Sequence, residues 1–148
     1  MNDRAHDIKV LNCLIESTLD SSEGYREAAD QSKDVMIAEL FKRWAVERRR
    51  VVADLRNAVR ELGGEPDANG TVLASAHRVF LDLRAHMSKT DKAVVNEVER
   101  GEDHIKSKYE DALKDEKLGP QALAATRKAY VSVKLGHDEI RELKKAYE

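Results

Sequence analysis

The stretch from residue 34 to residue 62 constrains the fold more than any other part of the chain. Its apolar residues recur at steps of three, four and seven, which is the spacing of one face of a long α-helix. They are Ile37, Phe41, Trp44, Val51, Leu55, Ala58 and Leu62. Arg48 fills the gap in this series. Asp34 can cap the start of the helix, and Gly63 and Gly64 can end it.

The same periodicity appears in three other segments, so the sequence predicts an all-α fold with four main helices. We place these helices at residues 3–29, 34–62, 91–114 and 120–147. The first two are separated by the short stretch DQSK, which makes them antiparallel neighbours. We expect the last two to be antiparallel as well, and the chain from residue 1 to residue 148 to form one helical-bundle domain.

A long connection joins the second and third helices. It opens with GGEPDANG, whose glycines, proline and Asn-Gly pair mark a loop. The following apolar residues have helical spacing: Leu73, Ala76, Phe80, Leu83 and Met87. We therefore predict a crossover helix at residues 71–88 on the outside of the bundle, with His77 capping or hydrogen-bonding across it rather than binding a ligand. The alternative is an up-and-down bundle in which this segment is a fifth core helix.

Composition excludes several classes of function. The 148 residues are 41% apolar and 36% charged with a net charge of −2, so the chain has no basic footprint for nucleic acid. No run approaches the roughly 18 apolar residues of a membrane span. We expect a cytoplasmic protein without a nucleic-acid or membrane partner. Cys13 is the single cysteine, and we expect it to be a small buried or half-buried residue.

In three of the four predicted helices, a polar residue interrupts the line of apolar residues along one helix face, which we term the apolar seam. These residues are Arg48, Glu102 and His137. A polar belt at mid-depth is typical of bundles that hold a metal pair. In these, two helices each give a Glu, and the other two each give a Glu-x-x-His pair. Carboxylates and imidazoles suit iron or manganese. The residues available for such a site are Glu16, Glu47, Glu102 and His137.

The chain lacks part of this ligand pattern. Arg50 stands three residues after Glu47, where the pattern requires a His. Lys134 stands three residues before His137, where it requires a Glu. Arg48 is permanently charged, cannot ligate a metal and repels cations. The favoured interpretation is therefore a structural network of ion pairs and hydrogen bonds, with a metal site or a small-molecule pocket as alternatives.

Arg48 is the expected positive centre of this network, and it needs a partner because an unpaired buried charge is strongly destabilising. The expected partner is Glu102, with Glu99 and Glu16 as alternatives. His137 would give Glu102 a second donor, directly or through water. No catalytic residue is predicted, since the chain shows no phosphate-binding loop and no nucleophile or zinc motif. We expect no cofactor, with iron or manganese as the alternative.

Several motifs of the chain resemble one group of proteins. They are LNCLIES, EGYREAA, ELGGEP, the pair His77-Arg78, ERGEDHIKSKYEDAL and HDEIREL. Together they look like the bacterial four-helix-bundle proteins of the ferritin-like superfamily that are grouped as a domain of unknown function. The resemblance covers residues 10–143. It implies a ferritin-like bundle with a long crossover between the second and third helices, a loose link to stress responses and no settled activity.

Two functions follow from these observations. The first is a non-catalytic stress or scaffold protein whose helical faces bind another protein or a second copy of the chain. The second is a metal-dependent oxidoreductase or an iron-handling protein. We also predict a homodimer that buries apolar residues expected on the outer faces: Val10, Leu14, Val52, Val59, Val79 and Leu81.

Overall fold

The computed structural model describes residues 3–67 and 90–148. These residues form four α-helices and no strand: α1 (Arg4–Gln31), α2 (Val35–Glu61), α3 (Asp91–Leu113) and α4 (Pro120–Ala146). The predicted all-α fold with four main helices is therefore confirmed, and the helix ends differ from the predicted ones by at most two residues. The predicted crossover helix at 71–88 and His77 lie outside the described residues. None of the described helices is long and apolar enough to cross a membrane.

Local sequence signals set the ends of the helices. The Asp34 carboxylate accepts hydrogen bonds from the backbone N–H groups of Met36 and Ile37, as an N-cap residue does. Just beyond α2, Gly63 has a φ of 83°, in the left-handed region that glycine adopts without a Cβ clash. Pro120 stands in the first turn of α4. The predicted start and stop signals of α2 are confirmed.

Hydrogen bonds at the two ends of the bundle show how the helices run. At one end, the Asp91 carboxylate accepts from the backbone N–H groups of Lys33 and Asp34. α3 therefore begins beside the connection between α1 and α2. At the other end, the Asp7 carboxylate accepts from the Gly119 N–H, so the connection between α3 and α4 lies beside the start of α1. α1 and α2 are antiparallel, as are α3 and α4, in agreement with the prediction.

α2 and α3 start at the same end of the bundle and run in the same direction. The end of α2 and the start of α3 therefore lie at opposite ends of the bundle. α1 packs mainly against α2 and α3, and α4 packs mainly against the same two helices. α1 and α4 consequently occupy opposite corners. All four helices thus bring their midpoints to a common depth, where the polar residues of the seams meet.

A polar layer divides the apolar core into two clusters. On α2, Phe41 belongs to one cluster and Leu55 to the other, and Arg48 lies between them. In the same way, Glu102 lies between the α3 residues that belong to the two clusters, and His137 lies between the α4 residues that belong to them. The interruptions that the sequence shows in three seams therefore form one layer in the folded bundle.

Three residues that were predicted on the outer faces are instead buried in the core: Leu14, Val52 and Val59. That part of the prediction is wrong, because each helix contacts two neighbours and buries a stripe wider than a single seam. Val10 is half-buried, and Val79 and Leu81 lie outside the described residues.

Cys13 is exposed, so the prediction of a buried or half-buried thiol is also wrong. It follows the buried Leu11 by two residues. Two residues correspond to about 200° around an α-helix, which places Cys13 on the outer side of α1. A sequence position close to a seam therefore does not imply burial.

Candidate functional site

Arg48 lies at the middle of the polar layer with its side chain fully buried. Its Nη2 donates to Glu102 Oε1 at 2.5 Å and to Oε2 at 2.8 Å. Its Nη1 donates to Ser21 Oγ at 2.7 Å, and the Tyr25 hydroxyl donates to Glu102 Oε1 at 2.9 Å. The predicted pairing of Arg48 with Glu102 therefore forms, and α1 adds two partners that the sequence analysis did not identify. We term these four residues the arginine centre.

Two aromatic rings and a glycine enclose the Arg48 guanidinium. Its Cζ lies 5.5 Å from the centre of the Tyr25 ring and 5.6 Å from that of the Trp44 ring, within cation–π range. On α4, Gly136 faces the guanidinium so closely that a Cβ would clash with Arg48 Nη2 and lie 3.2 Å from the Trp44 ring. The lack of a side chain at residue 136 therefore allows α4 to approach the centre.

Burial and opposite charge compete at the arginine centre. Burial raises the pKa of the Glu102 carboxyl, and the Arg48 guanidinium and the Tyr25 hydroxyl oppose this shift. Burial disfavours the charged form of Arg48, but Glu102 and, to a smaller extent, Tyr25 act in the opposite direction, and the pKa of Arg48 is raised. Burial also raises the pKa of Tyr25 well above its usual value, so the hydroxyl keeps its proton and remains a donor to Glu102.

His137 is buried in the same layer but uses both ring nitrogens elsewhere. Its Nε2 lies 2.7 Å from Asp103 Oδ1, and its Nδ1 lies 3.1 Å from Asp138 Oδ1. The direct hydrogen bond expected from His137 to Glu102 is therefore not made. His137 instead links α4 to an exposed carboxylate of α3.

Glu47 lies between α2 and α4, where it accepts three hydrogen bonds. Arg50 donates to it from Nε at 2.9 Å and from Nη2 at 2.6 Å, and Ser132 Oγ donates at 2.6 Å. The hydrogen bonds from Arg50 are the main reason that the pKa of Glu47 is lowered, although partial burial opposes them. Arg50, which breaks the Glu-x-x-His pattern in the sequence, thus binds the carboxylate that this pattern would have assigned to a metal.

Glu16 faces another acid rather than the buried arginine. Asn12 attaches the loop after α2 to α1, since its Nδ2 donates to the Glu65 carbonyl at 3.2 Å and its Oδ1 accepts from the Asp67 N–H at 2.9 Å. Burial is the main cause that raises the pKa of Glu16 to about 7, and a hydrogen bond and the charge of Asp67 add to it. The alternative pairing of Glu16 with Arg48 is therefore wrong.

Asp20 lies four residues after Glu16, on the same face of α1, and is buried. Neither of its carboxyl oxygens has a hydrogen-bond partner in the described part of the chain. Burial, followed by the charges of Glu16 and Glu23, raises the pKa of Asp20 to about 7. We term Glu16, Asp20 and Asp67 the acidic site. The sequence analysis missed Asp20, for which the step of four from Glu16 was the available signal.

The residues considered as metal ligands do not converge. Glu102 binds Arg48, and Glu47 binds Arg50 and Ser132. Within residues 3–67 and 90–148, no group of three or more His, Cys, Asp or Glu side chains could hold a metal ion. The arginine would also repel cations at the centre of the layer. The described residues therefore do not fit a carboxylate-bridged metal pair.

A cavity of about 10 Å³ borders the arginine centre. Its lining residues are Ser21, Tyr25, Val98, Gly101 and Glu102. This volume corresponds to about one water molecule. Among the described residues, this cavity beside Glu102 is therefore too small for a small-molecule ligand.

The fold and this site define a four-helix-bundle protein with a buried arginine–glutamate pair at mid-depth. The chain belongs to the family described as Domain of unknown function (DUF2383), which matches residues 6–115. This range includes both Arg48 and Glu102, whereas α4 and its HDEIREL motif lie beyond it. No curated protein matches the chain. The predicted membership in a family of unknown function is confirmed.

Proposed function

We propose that this protein is a non-catalytic helical-bundle protein that acts by binding a second copy of itself or another protein. The observation that supports this proposal is the arginine centre. In metal-dependent bundles, the middle of the core holds cations between carboxylates. Here a guanidinium takes that place and neutralises Glu102, and both side chains are out of contact with solvent. Groups enclosed in this way are out of reach of a substrate.

We further propose that the bundle is ferritin-like, with an ion pair in the place of a metal centre. The supporting observation is that α2 and α3 run in the same direction, with the end of α2 and the start of α3 at opposite ends of the bundle, as in ferritin-like folds. The proposed link to stress responses rests on the sequence resemblance. The proposed cytoplasmic location rests on composition.

Metal content distinguishes this proposal from a metal-dependent oxidoreductase or an iron-handling protein. The chain is purified from cells supplied with iron and manganese and is analysed for both elements. We expect substoichiometric metal that does not change in His137→Ala. The control is His104→Ala, which removes an exposed histidine of α3. Stoichiometric metal that is lost in His137→Ala but retained in His104→Ala would overturn the proposal.

A further inference from the structure

The cavity of about 10 Å³ beside the arginine centre lies between α1 and α3. Ser21 and Tyr25 line it from α1, and Val98, Gly101 and Glu102 line it from α3. All five residues are buried. The side chains of Val98 and Gly101 carry no polar atom, so the side-chain hydrogen-bonding groups of the cavity belong to Ser21, Tyr25 and Glu102.

The Ser21 hydroxyl can still donate a hydrogen bond. Its oxygen accepts from Arg48 Nη1 at 2.7 Å. A guanidinium only donates, so the hydroxyl proton of Ser21 has to find another acceptor. Within the described part of the chain, Ser21 makes no second hydrogen bond. A buried donor without an acceptor is destabilising, which favours a polar ligand next to Ser21.

Glu102 can still accept a hydrogen bond on one of its two oxygens. A carboxylate accepts about four hydrogen bonds, about two on each oxygen. Oε1 accepts from Arg48 Nη2 and from the Tyr25 hydroxyl. Among the described residues, Oε2 accepts only from Arg48 Nη2. The Tyr25 oxygen can also accept, because its own proton is donated to Glu102.

We propose that this cavity binds one water molecule, which accepts a hydrogen bond from Ser21 and donates to Glu102 Oε2, with the Tyr25 oxygen as its second acceptor. The volume of about 10 Å³ is that of about one water-sized probe. A buried water typically makes about three hydrogen bonds, and the walls provide a donor and two acceptors. Cavities that stay dry are apolar, unlike this one.

The water closes a ring of hydrogen bonds around the buried charge. Arg48 donates to Ser21 on α1 through Nη1 and to Glu102 on α3 through Nη2. The water connects these two acceptors, so α1, α2 and α3 are joined by one polar network. Hydrogen bonds in such a network polarise and strengthen one another in the protein interior. The water site does not depend on the proposed binding function, because it lies within a single chain.

Nuclear Overhauser effects between water and the protein test the site in the full chain. The walls are buried, so the water exchanges only when α1 and α3 separate locally, and it tumbles with the chain in the meantime. We expect a cross-peak of the sign of a long-lived water between water and the methyl protons of Val98. The methyl protons of Val95, which is buried on the same helix but does not line the cavity, are the internal control.

Gly101→Ala distinguishes a bound water from proton exchange of the two hydroxyl groups. The added methyl group takes up the space of the water and leaves Ser21 and Tyr25 in place, so the cross-peak to Val98 should be lost. Alanine is also the better helix former, so we expect the variant to fold. The control is Ser107→Thr, which adds a methyl group at an exposed position of α3 and should keep the cross-peak.

Two NMR results would overturn the proposal: no cross-peak to Val98 in the unmodified chain, or a cross-peak that persists in folded Gly101→Ala. A crystal structure of the full chain that resolves ordered water provides a second measurement, which needs no variant. We expect a water oxygen within about 3.2 Å of both Ser21 Oγ and Glu102 Oε2. No electron density for water between these two atoms would contradict the site.

Discussion

The arginine centre and the acidic site both bury carboxyl groups in one bundle, but they neutralise them differently. At the arginine centre, Glu102 receives hydrogen bonds from Arg48 and Tyr25. At the acidic site, Glu16 faces Asp67, and Asp20 has no hydrogen-bond partner among the described residues. A guanidinium neutralises the first group and remains charged at any physiological pH. At the acidic site, protons neutralise Glu16 and Asp20 as the pH falls below about 7. Burial alone therefore does not determine how a carboxyl group behaves.

This difference makes one of the two regions sensitive to pH. The ordinary pKa values of Glu16 and Asp20 are 4.5 and 3.8, and both are raised to about 7 in the folded chain. Between about pH 4 and pH 7, the unfolded chain therefore releases protons that the folded chain retains. The contribution of these groups to stability is fully present at low pH and is lost as the pH rises to about 7.

The largest effect is expected when the arginine centre loses its cation. Arg48→Met leaves the Glu102 carboxylate buried without an opposite charge, so it should lower the free energy of unfolding by about 3–5 kcal/mol. The double variant with Glu102→Leu should recover much of this loss, since it buries no charge. Urea denaturation measures both. Arg49→Met is the control, because it removes an exposed ion pair with Glu23 and should change stability by less than about 1 kcal/mol.

A loss in the double variant equal to the sum of the two single losses would show that Arg48 and Glu102 are not coupled. An unchanged denaturation midpoint in Arg48→Met would contradict the network itself. In either case Glu102 would become available as a ligand, and the metal analysis of this variant would need to be repeated.

An intermediate effect is expected when the space around the guanidinium is reduced. Gly136→Ala would usually stabilise a helix by about 1 kcal/mol. Here the added methyl group would displace Arg48 Nη2 and press on the Trp44 ring, so we expect a destabilisation of about 1–3 kcal/mol. Urea denaturation followed by the fluorescence of the single tryptophan measures it. A more stable Gly136→Ala variant would show that α4 has room to move away.

The smallest effect is expected at the acidic site. Glu16→Gln and Asp20→Asn remove the ionisable proton, and each should raise the free energy of unfolding by about 1 kcal/mol at about pH 8. Neither should change it appreciably at about pH 4, where the native carboxyl groups are already protonated. Urea denaturation at a series of pH values measures this. Glu39→Gln, at an exposed position of α2, should have the same small effect at both pH values.

An equal gain at low and high pH for Glu16→Gln or Asp20→Asn would mean that the substitution acts through packing or hydrogen bonding. A loss at high pH would contradict the raised pKa values. Either outcome would remove the distinction between the two regions, because the acidic site would then not be neutralised by protons.

The helices and the central pair could be predicted because both depend on periodicity. An apolar seam that continues over several turns predicts a helix, and the spacing of its residues predicts which side of the helix is buried. Arg48 and Glu102 interrupt two such seams at the same depth, and a buried cation requires a nearby anion. These two facts favoured Glu102 over Glu99 and Glu16 as the partner of Arg48.

Neighbours around the layer could not be predicted in the same way. A seam gives the depth of His137 but not the direction in which its ring points, so its contact with Asp103 was missed. The acidic site depends on the loop that carries Asp67, and this loop is held by Asn12 through hydrogen bonds that no periodic pattern reveals. Asp20 was missed because the spacing of apolar residues in α1 does not mark a buried carboxyl group.

The arginine centre also sets how far the helices can slide along one another. The apolar seams recur at steps that add up to seven, so a displacement of α2 by seven residues would still place apolar residues against apolar residues. Such a displacement would move Arg48 about 10 Å along the bundle, away from Glu102. Each charge would then be buried alone, which is strongly destabilising. The pair therefore specifies the longitudinal register of the bundle, which its repeating apolar seams leave ambiguous.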